Sequence, residues 1–99
     1  MKPDLSFLQG HDLLVYSTDW CPDCARLKRF FDGLGVTYRQ LSIDDDAAAG
    51  EKLERETGKR GVPYILLDGK KWVRGYHKEA TSRLVPETLF RELQDALRG

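Results

Sequence analysis

Apolar positions along this chain form short runs that alternate with helical stripes. Leu13-Leu14-Val15-Tyr16-Ser17 is an apolar run of strand length, suited to a strand covered on both faces. Pro22 fits the first position of a helix, where a missing N–H costs nothing. Cys24, Leu27, Phe31 and Leu34 then recur at three- and four-residue spacing and give that helix a core face, with Lys28 and Arg29 on its other sides and Gly33 and Gly35 at its end. Residues 36–43 alternate well enough for a second strand. Asp44-Asp45-Asp46 supplies caps and first-turn negative charge for a helix over Ala47–Thr57, closed by Gly58, with Ala49 and Leu53 facing the core and Gly50 weakening its first turn. Tyr64-Ile65-Leu66-Leu67 predicts a third strand, and Asp68-Gly69 a tight turn into a fourth over residues 70–73. A last helix starts at Pro86 and carries Leu89, Leu93, Ala96 and Leu97 on one face. Residues 1–10 are expected to form a loosely docked tail.

The order β-α-β-α-β-β-α defines an α/β unit. Strands alternating with helices predict parallel pairing through right-handed crossovers, with an antiparallel edge added by the Asp-Gly hairpin. The 99 residues hold no repeat, low-complexity stretch or linker, so a single domain over 1–99 is expected. Lysine plus arginine equals aspartate plus glutamate, 16 against 16, which removes the argument for a nucleic-acid or anionic-membrane partner. No apolar stretch approaches the roughly 20 residues of a membrane span, and the start lacks a secretory pattern. A cytoplasmic monomer is the expectation, and in that compartment a dithiol cycles between states instead of staying oxidised.

The chemistry concentrates in Trp20-Cys21-Pro22-Asp23-Cys24, which holds both cysteines of the chain. A disulfide closing so small a ring adds little as a staple, whereas two thiols on the first turn of a helix suit a reversible redox centre. With Pro22 as first helical residue, Cys21 becomes the N-cap, facing the unpaired N–H groups of Asp23 and Cys24. Those donors and the helix dipole favour a thiolate, which makes Cys21 the nucleophile. Cys24, on the inner face, becomes the resolving thiol. Asp23 favours the dipole but opposes a thiolate beside it, so it is expected to stabilise the disulfide and make the protein more reducing. A second signal is Gly61-Val62-Pro63-Tyr64. The proline either punctuates entry into a strand or forms a cis bond opposite the cysteines, where the Val62 backbone can pair with an extended substrate.

The run from Val15 to Cys24, followed by Arg26-Leu27-Lys28, resembles the active-site segment of glutaredoxins, as does Val62-Pro63 before a strand and an Asp-Gly hairpin. The resemblance covers residues 12–98. It implies a thioredoxin-like fold of the smaller glutaredoxin form, with a mixed central sheet and helices on both faces. It also implies a nucleophilic Cys21, a resolving Cys24, a cis Pro63 and a thiol–disulfide oxidoreductase that carries electrons in cell redox homeostasis. The chain departs from glutathione-using members at three places. Asp23 replaces a tyrosine, Thr18 replaces a lysine, and Arg74-Gly75-Tyr76-His77-Lys78-Glu79 stands where a Gly-Gly pair, a serine or cysteine and an aspartate hold the glutamyl end of glutathione. Trp72, Gly75, Tyr76, His77 and Glu79 echo the late segment of NrdH-type redoxins with one extra residue, and the Tyr-Ser-Thr-x-Trp-Cys stretch is similar to mycoredoxins. The substrate-binding surface implied by the resemblance comprises Trp20, Pro22, Asp23, Val62, Pro63, Gly75 and Tyr76. No cofactor is expected to be resident. Reducing equivalents would come from thioredoxin reductase and NADPH or from a low-molecular-weight thiol, and would pass to disulfide-containing proteins.

Two other classes stay open: an iron–sulfur-cluster-binding protein using Cys21 with an external thiol, against which Pro22 argues within the family, and a non-catalytic interaction domain with a vestigial motif. A zinc site lacks partners, since only His11 and His77 could complete it. The three aspartates are better explained by the helix start than by a cation. Lys59-Arg60 either attracts a carboxylate of a thiol substrate or is an exposed pair. Trp20 is assigned to the active-site surface, Trp72 to hairpin packing, and His77 to the protein surface.

Overall fold

A computed structural model describes residues 5–78 and 80–98. The four strands are β1 (Leu13–Ser17), β2 (Arg39–Ser42), β3 (Tyr64–Leu67) and β4 (Lys71–Arg74), and the three helices are α1 (Pro22–Gly33), α2 (Ala47–Thr57) and α3 (Pro86–Arg98). The sheet order is β2-β1-β3-β4. Period-2 alternation divides the strands between two cores. Leu13, Val15, Ile65, Leu67 and Val73 point to one face and pack with Leu27 and Phe31 of α1 and Leu89 and Leu93 of α3. Tyr16, Leu66, Leu14, Tyr64 and Trp72 point to the other, where Ala49 and Leu53 of α2 cover them. Helices therefore lie on both faces of a mixed sheet, as expected for a thioredoxin-like α/β fold.

The ladder corrects one expectation. β1 pairs with β2 in parallel, but with β3 antiparallel, Tyr16 opposite Tyr64 and Leu13 opposite Leu67. Periodicity reports which face of α2 is buried and says nothing of where the chain re-enters the sheet. Tyr64 starts β3 beside Tyr16, at the end of the sheet where β1 and β2 finish, so the Val62-Pro63 turn is delivered to the start of α1. β2 is also shorter than its alternation suggested. Gly35, at φ 70°, turns the chain back, and the Val36 N–H bonds to the Phe31 carbonyl at 3.0 Å. Val36 and Tyr38 still pack on the core without joining the ladder.

Local signals explain the element ends. Asp46 caps α2 by accepting from the Ala49 N–H at 3.1 Å, and Gly58 closes it at φ 87°. At Gly50 a Cβ would lie 3.0 Å from Arg60 Nη1, the far end of a flexible side chain, and in ordinary contact with Ile43 Cβ at 3.6 Å, so the packing there does not demand a glycine. Asp68 and Gly69 both take positive φ, 54° and 69°, as a two-residue hairpin turn that follows the strand twist requires.

The start of the chain is the second correction. Leu5 and Leu8 are buried in the main core, a 3-10 turn spans Ser6–Leu8, and Phe7 meets Phe90 of α3 edge to face at 5.2 Å. Three apolar side chains in four residues bury too much surface to be left as a loose tail; the remainder of that tail, residues 1–4, lies outside the described residues. Leu8→Ala is expected to lower unfolding free energy by about 2–5 kcal/mol in urea melts, the cost of a buried leucine truncation. A loss below roughly 0.5 kcal/mol, the range of surface substitutions, would show instead that this segment is not part of the folded unit.

Candidate active site

β1 ends at Ser17, and after four residues the chain enters α1 with Pro22 as its first residue. Cys21 holds the N-cap with extended backbone, φ −91° and ψ 112°, and its sulfur accepts from the Cys24 N–H at 3.1 Å. The sequence-based placement of Cys21 is thus met. The Val62–Pro63 bond is cis, and the Cys21 sulfur faces the Val62 carbonyl oxygen at 3.9 Å. Cys21, Pro22, Asp23, Cys24, Val62 and Pro63 therefore share one end of the sheet. Both cysteines are free thiols, Cys21 at 8% exposure and Cys24 at 1%.

That difference in exposure separates their chemistry. Burial pushes the Cys24 thiol up to about 12, its contact with Cys21 adds to the rise, and the Thr18 backbone and Lys28 oppose it. Cys24 stays protonated at neutral pH, while Cys21, slightly less enclosed, sits at the N-cap of the helix. Because Cys24 lies above its ordinary value of 9.0, its contribution to stability is complete below that pH and is lost as pH climbs toward 12.

The other expected site residues divide into three groups. Gly75 is buried behind Pro63: its N–H donates to the Pro63 carbonyl at 3.0 Å, and a Cβ would come within 2.7 Å of Leu27 Cδ2 and 3.2 Å of Pro63 Cγ. Its role is close packing that seats the proline. Tyr76 is also buried, under the Arg74 guanidinium at 5.4 Å and edge-on to Tyr64, with its hydroxyl 2.9 Å from where a Gly61 Cβ would stand. It supports the 61–63 turn from below. Trp20 stands outward at 71% exposure, and its indole N–H donates to Asp44 Oδ2 at 2.8 Å. One of the three aspartates thus orients the tryptophan while another caps α2. Thr18 is buried, with its Oγ1 unpartnered among the described residues, so no charge stands at that position. Trp72 packs on Tyr16 and Tyr64 as expected of the hairpin.

Two expectations are corrected here. Asp23 does not present an uncompensated charge to Cys21. Arg83 takes both its oxygens, Nη2 to Oδ2 at 2.5 Å and Nε to Oδ1 at 3.3 Å, and Arg26 Nη1 bonds Oδ1 at 2.6 Å. The Arg83 hydrogen bond, with help from both cationic charges, holds the Asp23 carboxyl below its usual range. His77 is not a surface residue but fully buried. Its Nδ1 accepts from the Val85 N–H at 2.9 Å, which leaves the proton on Nε2, 2.8 Å from Glu92 Oε1 of α3. Glu79, part of the late-segment resemblance, lies outside the described residues. Sequence reasoning missed Arg83 altogether. It lies 60 positions from Asp23, and no local pattern links such distant charges. Arg26, three residues after Asp23 on a helix, carried a readable signal.

A thiol capping a helix start, a second buried thiol one turn later and a cis-proline turn opposite them, on a mixed four-stranded sheet, define the thioredoxin-like class. The glutaredoxin family model matches residues 13–72, more than half of the chain, and the protein belongs to the glutaredoxin family. Glutaredoxin-C6 of rice (Oryza sativa subsp. japonica) is 36% identical over 61 residues, covering 59% of this chain and 54% of that one, so this chain matches about half the length of that relative. The crystal structure of glutaredoxin grx-1 from Archaeoglobus fulgidus superposes with a TM-score of 0.61 at 25% identity, covering 99% of this chain and 98% of that one. The crystal structure of a buckwheat glutaredoxin–glutathione complex gives 0.54 at 35% identity over 61% of this chain and 57% of that one.

The two thiols should differ in labelling. Limiting iodoacetamide at about pH 7 is expected to give a single adduct, on Cys21, by peptide mass spectrometry, with Cys24 modified only as pH rises well above 9 or as the chain unfolds. Equal labelling of both cysteines at neutral pH would contradict the assignment.

Proposed function

We propose that this glutaredoxin-family protein is a dithiol electron carrier that reduces protein or mixed disulfides, with Cys21 as nucleophile and Cys24 as resolving thiol. The observation that carries this reading is the Cys24 N–H directed at the Cys21 sulfur at 3.1 Å, on the first turn of a helix that also buries Cys24. Helix starts, with unpaired N–H donors and the positive end of the dipole, are where reactive cysteines are found.

In the first step the Cys21 thiolate attacks one sulfur of the substrate disulfide. A Cys21–substrate S–S bond forms, the substrate bond breaks, and the second substrate sulfur leaves as a thiolate that takes a proton from solvent. In the second step Cys24 gives up its proton and attacks the Cys21 sulfur. The mixed disulfide breaks, the remaining substrate thiol is released, and Cys21–Cys24 becomes the disulfide, so two electrons have passed to the substrate. The Val62 backbone beside Cys21 offers an edge along which an extended substrate can align. Trp20, exposed and directly before Cys21 in the chain, gives a flat apolar surface for a protein partner.

An external donor restores the dithiol, either NADPH through thioredoxin reductase or a small thiol such as glutathione or mycothiol. The buckwheat relative's complex with glutathione supports a small thiol. The burial of Tyr76 and His77, in the segment where glutathione-using members hold the glutamyl end, supports the reductase. A cytoplasmic monomer working on disulfide proteins is consistent with both.

Cys21→Ser is expected to abolish disulfide reduction in an NADPH-coupled assay. Cys24→Ser is expected to lose dithiol turnover while accumulating a mixed disulfide visible by mass, with a monothiol route surviving when a small thiol is supplied. If Cys21→Ser turns over normally and Cys24→Ser traps nothing, the roles are reversed.

A further inference from the structure

The loop between β4 and α3 carries an ordered set of polar contacts that the reaction above leaves unused. Arg83 sits in this loop with φ 66°, a conformation unfavourable for a side chain of its kind. It is held there by the Arg83 carbonyl, which accepts from the His77 N–H at 2.7 Å. His77 is fixed in turn, because its ring is fully buried, receives the Val85 N–H and reaches Glu92. A buried histidine bonded at both nitrogens and through its backbone is a rigid mount. What it presents is the Arg83 guanidinium, clasped in a two-point pair to Asp23 between the two cysteines.

From this geometry we infer that Arg83 is a positioning residue for the redox centre, cancelling the Asp23 carboxylate so that the acid between the cysteines does not suppress thiolate formation at Cys21. The inference rests on the proposed nucleophilic role of Cys21. The charges around that thiol come from several elements. Asp23 and Arg26 stand on α1, Arg83 comes from the loop, Cys24 lies alongside with Lys28 acting on it, and the β3 side presents the Val62 carbonyl. Arg83 is within electrostatic reach of both Cys21 and Tyr76. Two further acids lie near the motif: Asp19, directly before Trp20 in the chain, and Asp44, which is held by the Trp20 indole N–H. One carboxylate is thus shared by two guanidiniums, and Asp23 is the more enclosed member of the set, its side chain 16% exposed against 43% for Arg83 and 37% for Arg26. Enclosure makes its charge costly to leave bare.

A charge role and a bracing role predict opposite patterns in a double-substitution cycle. The readout is the second-order rate of Cys21 alkylation at pH 7, with the reduction potential of the dithiol alongside. Arg83→Gln is expected to slow alkylation about threefold and to make the potential more negative by about 15 mV, since tenfold corresponds to 29.6 mV for a two-electron couple. Asp23→Asn leaves two guanidiniums uncompensated and is expected to accelerate alkylation by about the same factor, with the potential moving the other way. The double variant should return to within about 1.5-fold of the parent, and Arg83→Lys should retain most of the parent rate, because both keep the local charge balance. Single variants that shift the rate in the same direction, or a double variant slower than either, would make the clasp a mechanical brace and overturn the inference. The failure of the underlying reading looks different: parent Cys21 would react no faster than a free thiol.

Discussion

The placement of one sulfur at the start of one helix governs the rest of this molecule. For Cys21 to cap α1, β1 must end at Ser17, the chain must turn within three residues, and Pro22 must open the helix. The cap then fixes Cys24 on the buried face one turn later, where burial desolvates it. The same sheet end has to receive the 61–63 turn, and it does so because β3 runs antiparallel to β1 and begins at Tyr64, opposite Tyr16. Gly75 completes the arrangement: only a residue without a Cβ lets the end of β4 pass behind Pro63 against Leu27. The chemistry is thus built on strand ends and a helix start, which are held by packing on both faces of the sheet.

Those parts that depend on local pattern were legible in the sequence. The Leu13–Ser17 run, the 3.6-residue stripe of α1, the Asp46 cap with its Gly58 stop and the Asp-Gly hairpin each state their element within a few residues. The cysteine pair and Val62-Pro63 pointed to the candidate site for the same reason, since their meaning lies in adjacent residues. What stayed hidden depends on long-range geometry. The direction of β3 follows from where α2 returns the chain, which its amphipathic pattern does not encode. Leu5, Phe7 and Leu8 look like a short polar-flanked tail until α3 provides Phe90 as a partner. His77 resembles a surface histidine in a polar segment, yet it is buried because Val85 and Glu92 supply both partners for its ring.

Asp23 shows most clearly why a motif read in isolation misleads about electrostatics. In sequence it is a carboxylate between two thiols. In the fold it belongs to a charge cluster in which the cations outnumber it. The fold joins the first turn of α1 to the loop before α3 through that cluster, with Arg83 of the loop clasping Asp23 between the two cysteines.

A redox titration of the two cysteines tests the account most directly. The protein is equilibrated across thiol–disulfide buffers, quenched by alkylation, and the number of free thiols is read by mass. A single two-electron transition is expected, in which Cys21 and Cys24 are lost together, with a midpoint between about −270 and −180 mV, the range from thioredoxin to protein disulfide isomerase that brackets glutaredoxins. Thiols that remain free across that span, or that oxidise only between chains, would contradict it.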